Sequence, residues 1–304
     1  MSTESRVAQK RSESLAASLL EYRLSFHLLR KNPISFLGLV IIVVFFITAI
    51  FAPWLAPYPE QGLGAPNLET RLAPPSLEHL FGTDSLGRDI VSRVIMGSRI
   101  SLTVSMIVVA LAISVGTPLG AVAGYIGGMW DEIIMRITDL FLAFPSLLLA
   151  MAIAAALGPS LANSMVALAL SWWPWYTRLV RSQGASLRER PFVEAARAMG
   201  VPDKNIIARH ILPNSLAPVI VQATVDIGTV VLATAALSFI GLGAQPPAPE
   251  WGLMVSSGRS YIFEQWWISA FPGLAIFATS LAFNLVGDGL REALDPKVRR
   301  SRRA

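Results

Sequence analysis

Residues 140–177 read LFLAFPSLLLAMAIAAALGPSLANSMVALALSWWPWYT, 38 positions without a charge. A membrane crossing takes about 20 apolar residues at about 1.5 Å rise each. The block is too long for one crossing and long enough for two short ones. Gly158-Pro159-Ser160 sits in its middle, a breaker pair that favours a tight turn. Whether the block holds one span or two decides the topology, because the segment after it is rich in arginine.

Working outward, residues 32–59 and 100–130 are also uncharged. Spans are expected at 34–54 and 102–123, two in 140–177, one at 217–240 and one at 268–286. The segment 34–54 is too long for the apolar region of a signal peptide, and a polar stretch precedes it. Lysine plus arginine number six in the N-terminal tail, four after the first span and one after the second. They number seven after the fourth, one after the fifth and six in the C-terminal tail. With six spans and a cytoplasmic N-terminus, 20 basic residues lie inside and five outside, as the positive-inside rule requires. A single span over 140–177 would put the seven-basic segment outside. Trp172, Trp173, Trp175 and Tyr176, and Trp251, Trp266 and Trp267, stand near span ends, where aromatic rings favour the headgroup level.

The rest of the composition agrees. The chain has 304 residues, 53% hydrophobic and 15% charged, against roughly 25% charged in a soluble domain. Mean hydropathy is +0.55. Disorder, a disulfide scaffold and a soluble enzyme are excluded or nearly so. There is no cysteine, and His27, His79 and His210 are far apart, so no thiolate or HExxH metal site is expected. The basic excess alternates with topology, which removes a nucleic-acid reading. The reading is an all-α membrane protein of six transmembrane helices with both termini cytoplasmic. Its parts are a tail at 1–33, a first helix at 34–56, an extracytoplasmic loop at 57–99, a core at 100–290 and a basic tail at 291–304.

Within the spans, Gly116, Gly120 and Gly124 recur every four residues and suit close helix packing, with a kink expected at Pro118. Gln222, Asp226, Thr229 and Ala233 fall on one stripe of the fifth span. Asp226, an ionisable group at depth, lines a pathway or makes an interhelical bond. Asn284 in the sixth span is a weaker pathway candidate. Residues 85–99 suit an amphipathic helix feeding the second span, with Ile90, Val91, Val94 and Ile95 toward lipid or bundle.

Residues 186–214 read SLRERPFVEAARAMGVPDKNIIARHILPN. Pro191 suits a first helical position, Gly200 a C-terminal cap, and Asp203 the N-cap of a second short helix ending before Pro213. Phe192, Ala196 and Met199 share a face, with Ala195 adjacent and Glu194 and Arg197 on the rim. This is a knob suited to a groove on a soluble partner, or an amphipathic helix resting on its own bundle.

Glu194-Ala195-Ala196, Gly200 and Leu212-Pro213 resemble the EAA loop of binding-protein-dependent ABC importer permeases. His210 departs from the aliphatic residue expected there. Phe81-Gly82-Thr83-Asp84-Ser85-Leu86-Gly87-Arg88-Asp89 also resembles the peptide and nickel branch of that family. So do Leu140-Phe141-Leu142-Ala143-Phe144-Pro145 and the stretch from Leu237 through Glu250-Trp251-Gly252. The resemblance, to the second permease subunit of dipeptide and oligopeptide importers, covers 81–296. It implies a type-1 ABC importer permease fold and a heterodimer with a paralogous permease. Two ATPase subunits and an extracytoplasmic solute-binding protein are implied as further partners. It also implies that Phe192, Glu194, Ala195, Ala196, Arg197, Met199 and Gly200 couple to an ATPase. Many relatives carry an acid at the position of Ala233, which this chain lacks. No G-x-x-x-x-G-K-[ST] motif is present, so ATP and magnesium belong to partner subunits and no cofactor is expected here. Peptides are the expected substrate. Nickel chelates, glutathione, opines and oligosaccharides remain alternatives, as does a secondary transporter, which would be expected to show paired repeats and more buried charges.

Overall fold

A computed structural model describes residues 32–294. The expectations for the two tails, including the basic counts at 1–31 and 295–304 and His27, lie outside the described residues. All the long elements are helices: α1 (Pro33–Ile50), α2 (Ile90–Ile126), α3 (Gly128–Leu142), α4 (Ser146–Leu157) and α5 (Leu161–Arg188). They continue with α6 (Pro191–Ala198), α7 (Leu212–Phe239), α8 (Trp251–Gly258) and α9 (Trp267–Leu294).

The Asn32 side chain caps α1 by accepting from the backbone N–H groups of Ile34 and Ser35, ahead of Pro33. The expected span at 34–54 breaks at Phe51, and Ala52–Leu55 forms a separate turn. Pro53 explains the break, since proline cannot donate to the helix ladder and crowds the carbonyl four residues back. α1 lies on α9, where Gly38 leaves no room for a Cβ beside the Ala282 carbonyl (2.9 Å). Ile42, Ala282, Phe283 and Val286 close that contact.

Helix α2 runs for 37 residues, about 55 Å, and continues through Pro118. Its contact with α5 is the central seam of the bundle. A Cβ on Gly116, Gly120 or Gly124 would collide with the backbone carbonyl of Trp173, Thr177 or Arg181 respectively, and Gly184 answers from the α5 side. The glycine stripe therefore serves packing, the use expected in lipid, where little hydrophobic force draws helices together.

The turn at Gly158 (φ +91°) separates α4 from α5 where the breaker pair predicts it. The loop expected before residue 140 is instead α3, a 15-residue helix bent 85° from α4. Apolar residues at helical spacing were interleaved with Asp131, Glu132, Arg136 and Asp139, and the charges suggested a loop. Two of those charges hold α3 to α5: Arg181 donates to both Asp131 oxygens (2.8 and 2.7 Å) and Arg178 to Asp139 (2.6 Å).

Four helices among the described residues are long and apolar enough to cross a membrane: α1, α2, the rod Asp203–Phe239 and α9. The bent pair α3–α4 makes a fifth if taken as one span. Helix α4 has 12 residues, about 18 Å and too short to cross a hydrocarbon core of about 30 Å alone. Helix α5 is long enough, but Arg178, Arg181 and Arg188 lie in its C-terminal half.

At the end of the bundle opposite α6, the GTDSLGRD stretch is a clasp. Asp84 accepts from the N–H groups of Leu86 (2.8 Å) and Arg88 (3.0 Å) and from Arg88 Nε (2.7 Å). Asp89 caps α2 through Ser92 N (2.7 Å) and meets His79 Nδ1 at 2.9 Å. Gly87 (φ +72°) sits against the Asn67 carbonyl, where a side chain has no space. Arg93 reaches the Pro247 and Ala248 carbonyls, and Trp251 Nε1 donates to Val94 O (3.0 Å). The helix expected at 85–99 thus begins at Ile90, and both Ile90 and Arg93 are buried inside the protein.

Glu250 completes this end. Its carboxylate accepts from the N–H groups of Gly252 (3.0 Å) and Leu253 (2.8 Å), capping α8, and Gly252 packs against the backbone of Ala235. Burial pushes the Glu250 carboxyl above the usual carboxylate range, outweighing the capping bonds that favour the charge. The folded chain therefore keeps this proton to a higher pH than the unfolded chain. The resulting stability is full below the ordinary glutamate pKa, about 4.3, and is lost as pH rises through the raised value. Glu250→Gln should flatten the fall in Tm of the detergent-purified protein as pH rises above the ordinary glutamate range. Parallel Tm curves for the two proteins would contradict this assignment.

Candidate functional site: coupling loop and pathway residues

Helix α6 follows α5 after Glu189 and Arg190, with Pro191 in its first turn. Its end is a Schellman motif: Gly200 N donates to Arg197 O (3.0 Å), Val201 N donates to Ala196 O (3.1 Å), and Gly200 has φ +77°. Gly200 is thus the expected cap, and it makes the bend rigid.

The faces of α6 differ from the expectation in one respect. Ala196 (4% exposed) turns inward beside Val193 and joins the main core cluster. The outward face carries Phe192 (44%), Ala195 and Met199 (76%), spaced i, i+3 and i+7. Glu194, Arg197 and Gly200 are exposed around it. The result is an apolar knob with a small residue at its centre and charges on its rim. His210 stands with its ring centroid 6.0 Å from that of Phe192, so the departure from an aliphatic residue is accommodated by a ring contact.

The second half of the bend also differs. Pro202, not Asp203, occupies the N-cap, and there is no separate short helix ending before Pro213. Asp203–Ile206 passes through a π-helical turn (Ile207–Ile211) into α7, so the rod Asp203–Phe239 is continuous. Asp203 is occupied elsewhere: its Oδ1 accepts the hydroxyl proton of Tyr125 at 2.7 Å. Arg197 lies over the Tyr125 ring, 5.4 Å from its centroid, a cation–π distance. Tyr125 was not singled out from sequence. Its partners, Arg197 and Asp203, lie more than 70 positions away, so no local pattern points to it.

The four pathway candidates differ in exposure and in bonding partners. Asp226 (7% exposed) accepts from Gln222 Nε2 (3.0 Å) on its own helix and faces Tyr176 of α5. Asn284 donates back to Ser280 O (2.8 Å) at the point where α9 crosses Gly228 of α7. Thr229 is exposed, with its hydroxyl bonded to Val225 O. Ala233 is buried.

Residues 116–300 match the family described as the binding-protein-dependent transport system inner membrane component. Residues 22–75 match the N-terminal transmembrane domain of oligopeptide transport permease C. The chain belongs to the first of these families, the membrane permeases of ABC importers, and it also carries the N-terminal domain of the oligopeptide group. Among its relatives is the dipeptide transport system permease protein DppC of Alkalihalophilus pseudofirmus, 51% identical over 278 residues, 91% of this chain and 90% of that protein. The probable D,D-dipeptide transport system permease protein DdpC of Escherichia coli K12 is 50% identical over 271 residues, 89% of this chain and 90% of that protein. The glutathione transport system permease protein GsiD of E. coli O6:K15:H31 is 46% identical, over 89% of this chain and 88% of that protein. A chain of the inward-facing MetNI methionine ABC transporter shares the fold, with a TM-score of 0.54 and 19% identity over 68% of this chain and 98% of that one.

Proposed function

We propose that this permease carries dipeptides or oligopeptides through a pathway formed with a paralogous permease, driven by two separate ATPase subunits and fed by an extracytoplasmic solute-binding protein. The relatives named for dipeptide and D,D-dipeptide transport support the substrate class. In this reading the chain crosses six times, with α3 and α4 together making the third crossing and α5 the fourth. Both termini and the α6 elbow are then cytoplasmic. The charge distribution supports that orientation, since the arginine-rich segment after α5 falls on the inside.

The observation that carries the coupling role is the exposed knob of Phe192, Ala195 and Met199 on a bend closed by Gly200. An ATPase groove would take the knob, with Glu194 and Arg197 on the rim. Ala196 contributes from within, by seating the helix on the bundle. Thr229 is the pathway candidate with an exposed position. Gln222 and Asn284 are read as groups that bond within the bundle, while Asp226 keeps one oxygen on Gln222 and the other buried without a bond, facing Tyr176. Each nucleotide-driven closure of the ATPases would bias the bundle between inward- and outward-open states.

The test is identification of the ligand held by the cognate binding protein, followed by ATP-dependent uptake in liposomes containing all subunits. Uptake of a short peptide supports the proposal. A binding protein that holds only a metal chelate or a sugar would overturn the substrate class.

A further inference from the structure

The elbow is joined covalently to α5 on one side and to the α7 rod on the other. Tyr125, in the last turn of α2, adds a third attachment. It is 2% exposed, its hydroxyl is held by Asp203 at the start of the rod, and its ring is covered by Arg197 in the last turn of α6. One side chain therefore grips both arms of the bend, on either side of the Gly200 turn. Its neighbour Gly124 is packed against Gly184 and the Arg181 carbonyl of α5, so the end of α2 has little freedom to slide independently.

We propose that Tyr125 is a positioning residue for energy coupling, through which displacement of the elbow is passed to α2. This rests on the coupling role given to α6. Without the grip, a push on the knob would reach α2 only by way of α5, through the glycine seam, and the end of α2 would no longer hold the α7 rod and the end of α6 together. ATP would still be hydrolysed, but less of the closure would reach the bundle.

The experiment uses the complete importer in liposomes and reads peptide uptake per ATP hydrolysed. Tyr125→Phe keeps the ring under Arg197 and removes the donor to Asp203. It should leave ATP hydrolysis within about twofold and lower the uptake-to-ATP ratio about fivefold, the factor that corresponds to a hydrogen bond of ordinary strength. Asp203→Ala, at an exposed position, should lower the ratio similarly, while Asp203→Asn, whose amide oxygen still accepts, should keep the parent ratio. If Tyr125→Phe fails to assemble, Asp203→Ala against Asp203→Asn decides the matter. Parent ratios in both Tyr125→Phe and Asp203→Ala, or uptake and hydrolysis falling in parallel, would overturn the proposal. An elbow that does not engage an ATPase at all fails differently, by ATPase binding that survives Glu194→Lys.

Discussion

Gly120→Val should remove most of the folded permease from the membrane. The substitution places three carbons where a single Cβ already collides with the Thr177 carbonyl and stands 2.9 Å from Val180 Cβ. Neither neighbour is a flexible side-chain end, so α2 and α5 must separate. Overpacking of this kind costs about 3 kcal/mol or more when backbone has to move, a large share of a stability of about 5–15 kcal/mol. The penalty extends beyond one contact, because Gly116 and Gly124 sit in the same seam one turn away on each side. Gly273→Val is the control, since a Cβ there meets nothing within 4 Å. Size-exclusion profiles and Tm in detergent should show loss of the monodisperse peak for Gly120→Val and a near-parent protein for Gly273→Val. A parent-like Tm for Gly120→Val would mean that the seam is looser than the geometry indicates.

Glu194→Lys and Gly200→Pro should each abolish co-purification of the ATPase subunits, for different reasons. Glu194 is exposed on the rim of the knob, so reversing its charge changes the docking surface and leaves the fold intact. Where the partner sets a basic group against Glu194, the reversal brings like charges together and suppresses association. Gly200 holds the bend itself. Proline there cannot adopt φ +77° and has no N–H for Arg197 O, so the Schellman motif is lost; the local cost is about 3 kcal/mol. The permease peak should persist in both variants while the ATPases are absent from it. Full assembly and uptake in both would defeat the coupling role of α6.

Much of this architecture was legible in the sequence, because membrane insertion leaves a coarse signal. Uncharged runs marked α1 and α2, apolar stretches marked most of α7 and α9, and Gly158 marked the break between α4 and α5. Gly200 announced its cap because few residues other than glycine tolerate a left-handed conformation. The misreadings have physical reasons. Helix α3 was hidden because its charges pair with Arg178 and Arg181, some 40 to 50 positions away. Ala195 and Ala196 are adjacent small residues, and periodicity alone does not say which one faces the bundle. Asp203 looked like a cap because local chemistry favours it, but a tertiary partner, Tyr125, claimed its carboxylate. The clasp motif was recognised by resemblance alone. Its hydrogen bonds join residues 67–89 to one another, and Arg93 and Val94 just beyond them bond the 247–251 segment, which no local pattern reveals.

The central claim is that the α6 knob faces the cytoplasm and seats on an ATPase. The chain has no cysteine, so Ala195→Cys supplies a single thiol at an exposed position of the knob. Its labelling by a membrane-impermeant maleimide is the most direct measurement. The thiol should stay unlabelled in intact cells, label in inverted vesicles stripped of ATPase, and be protected when the ATPases are restored. Labelling in intact cells would contradict the account.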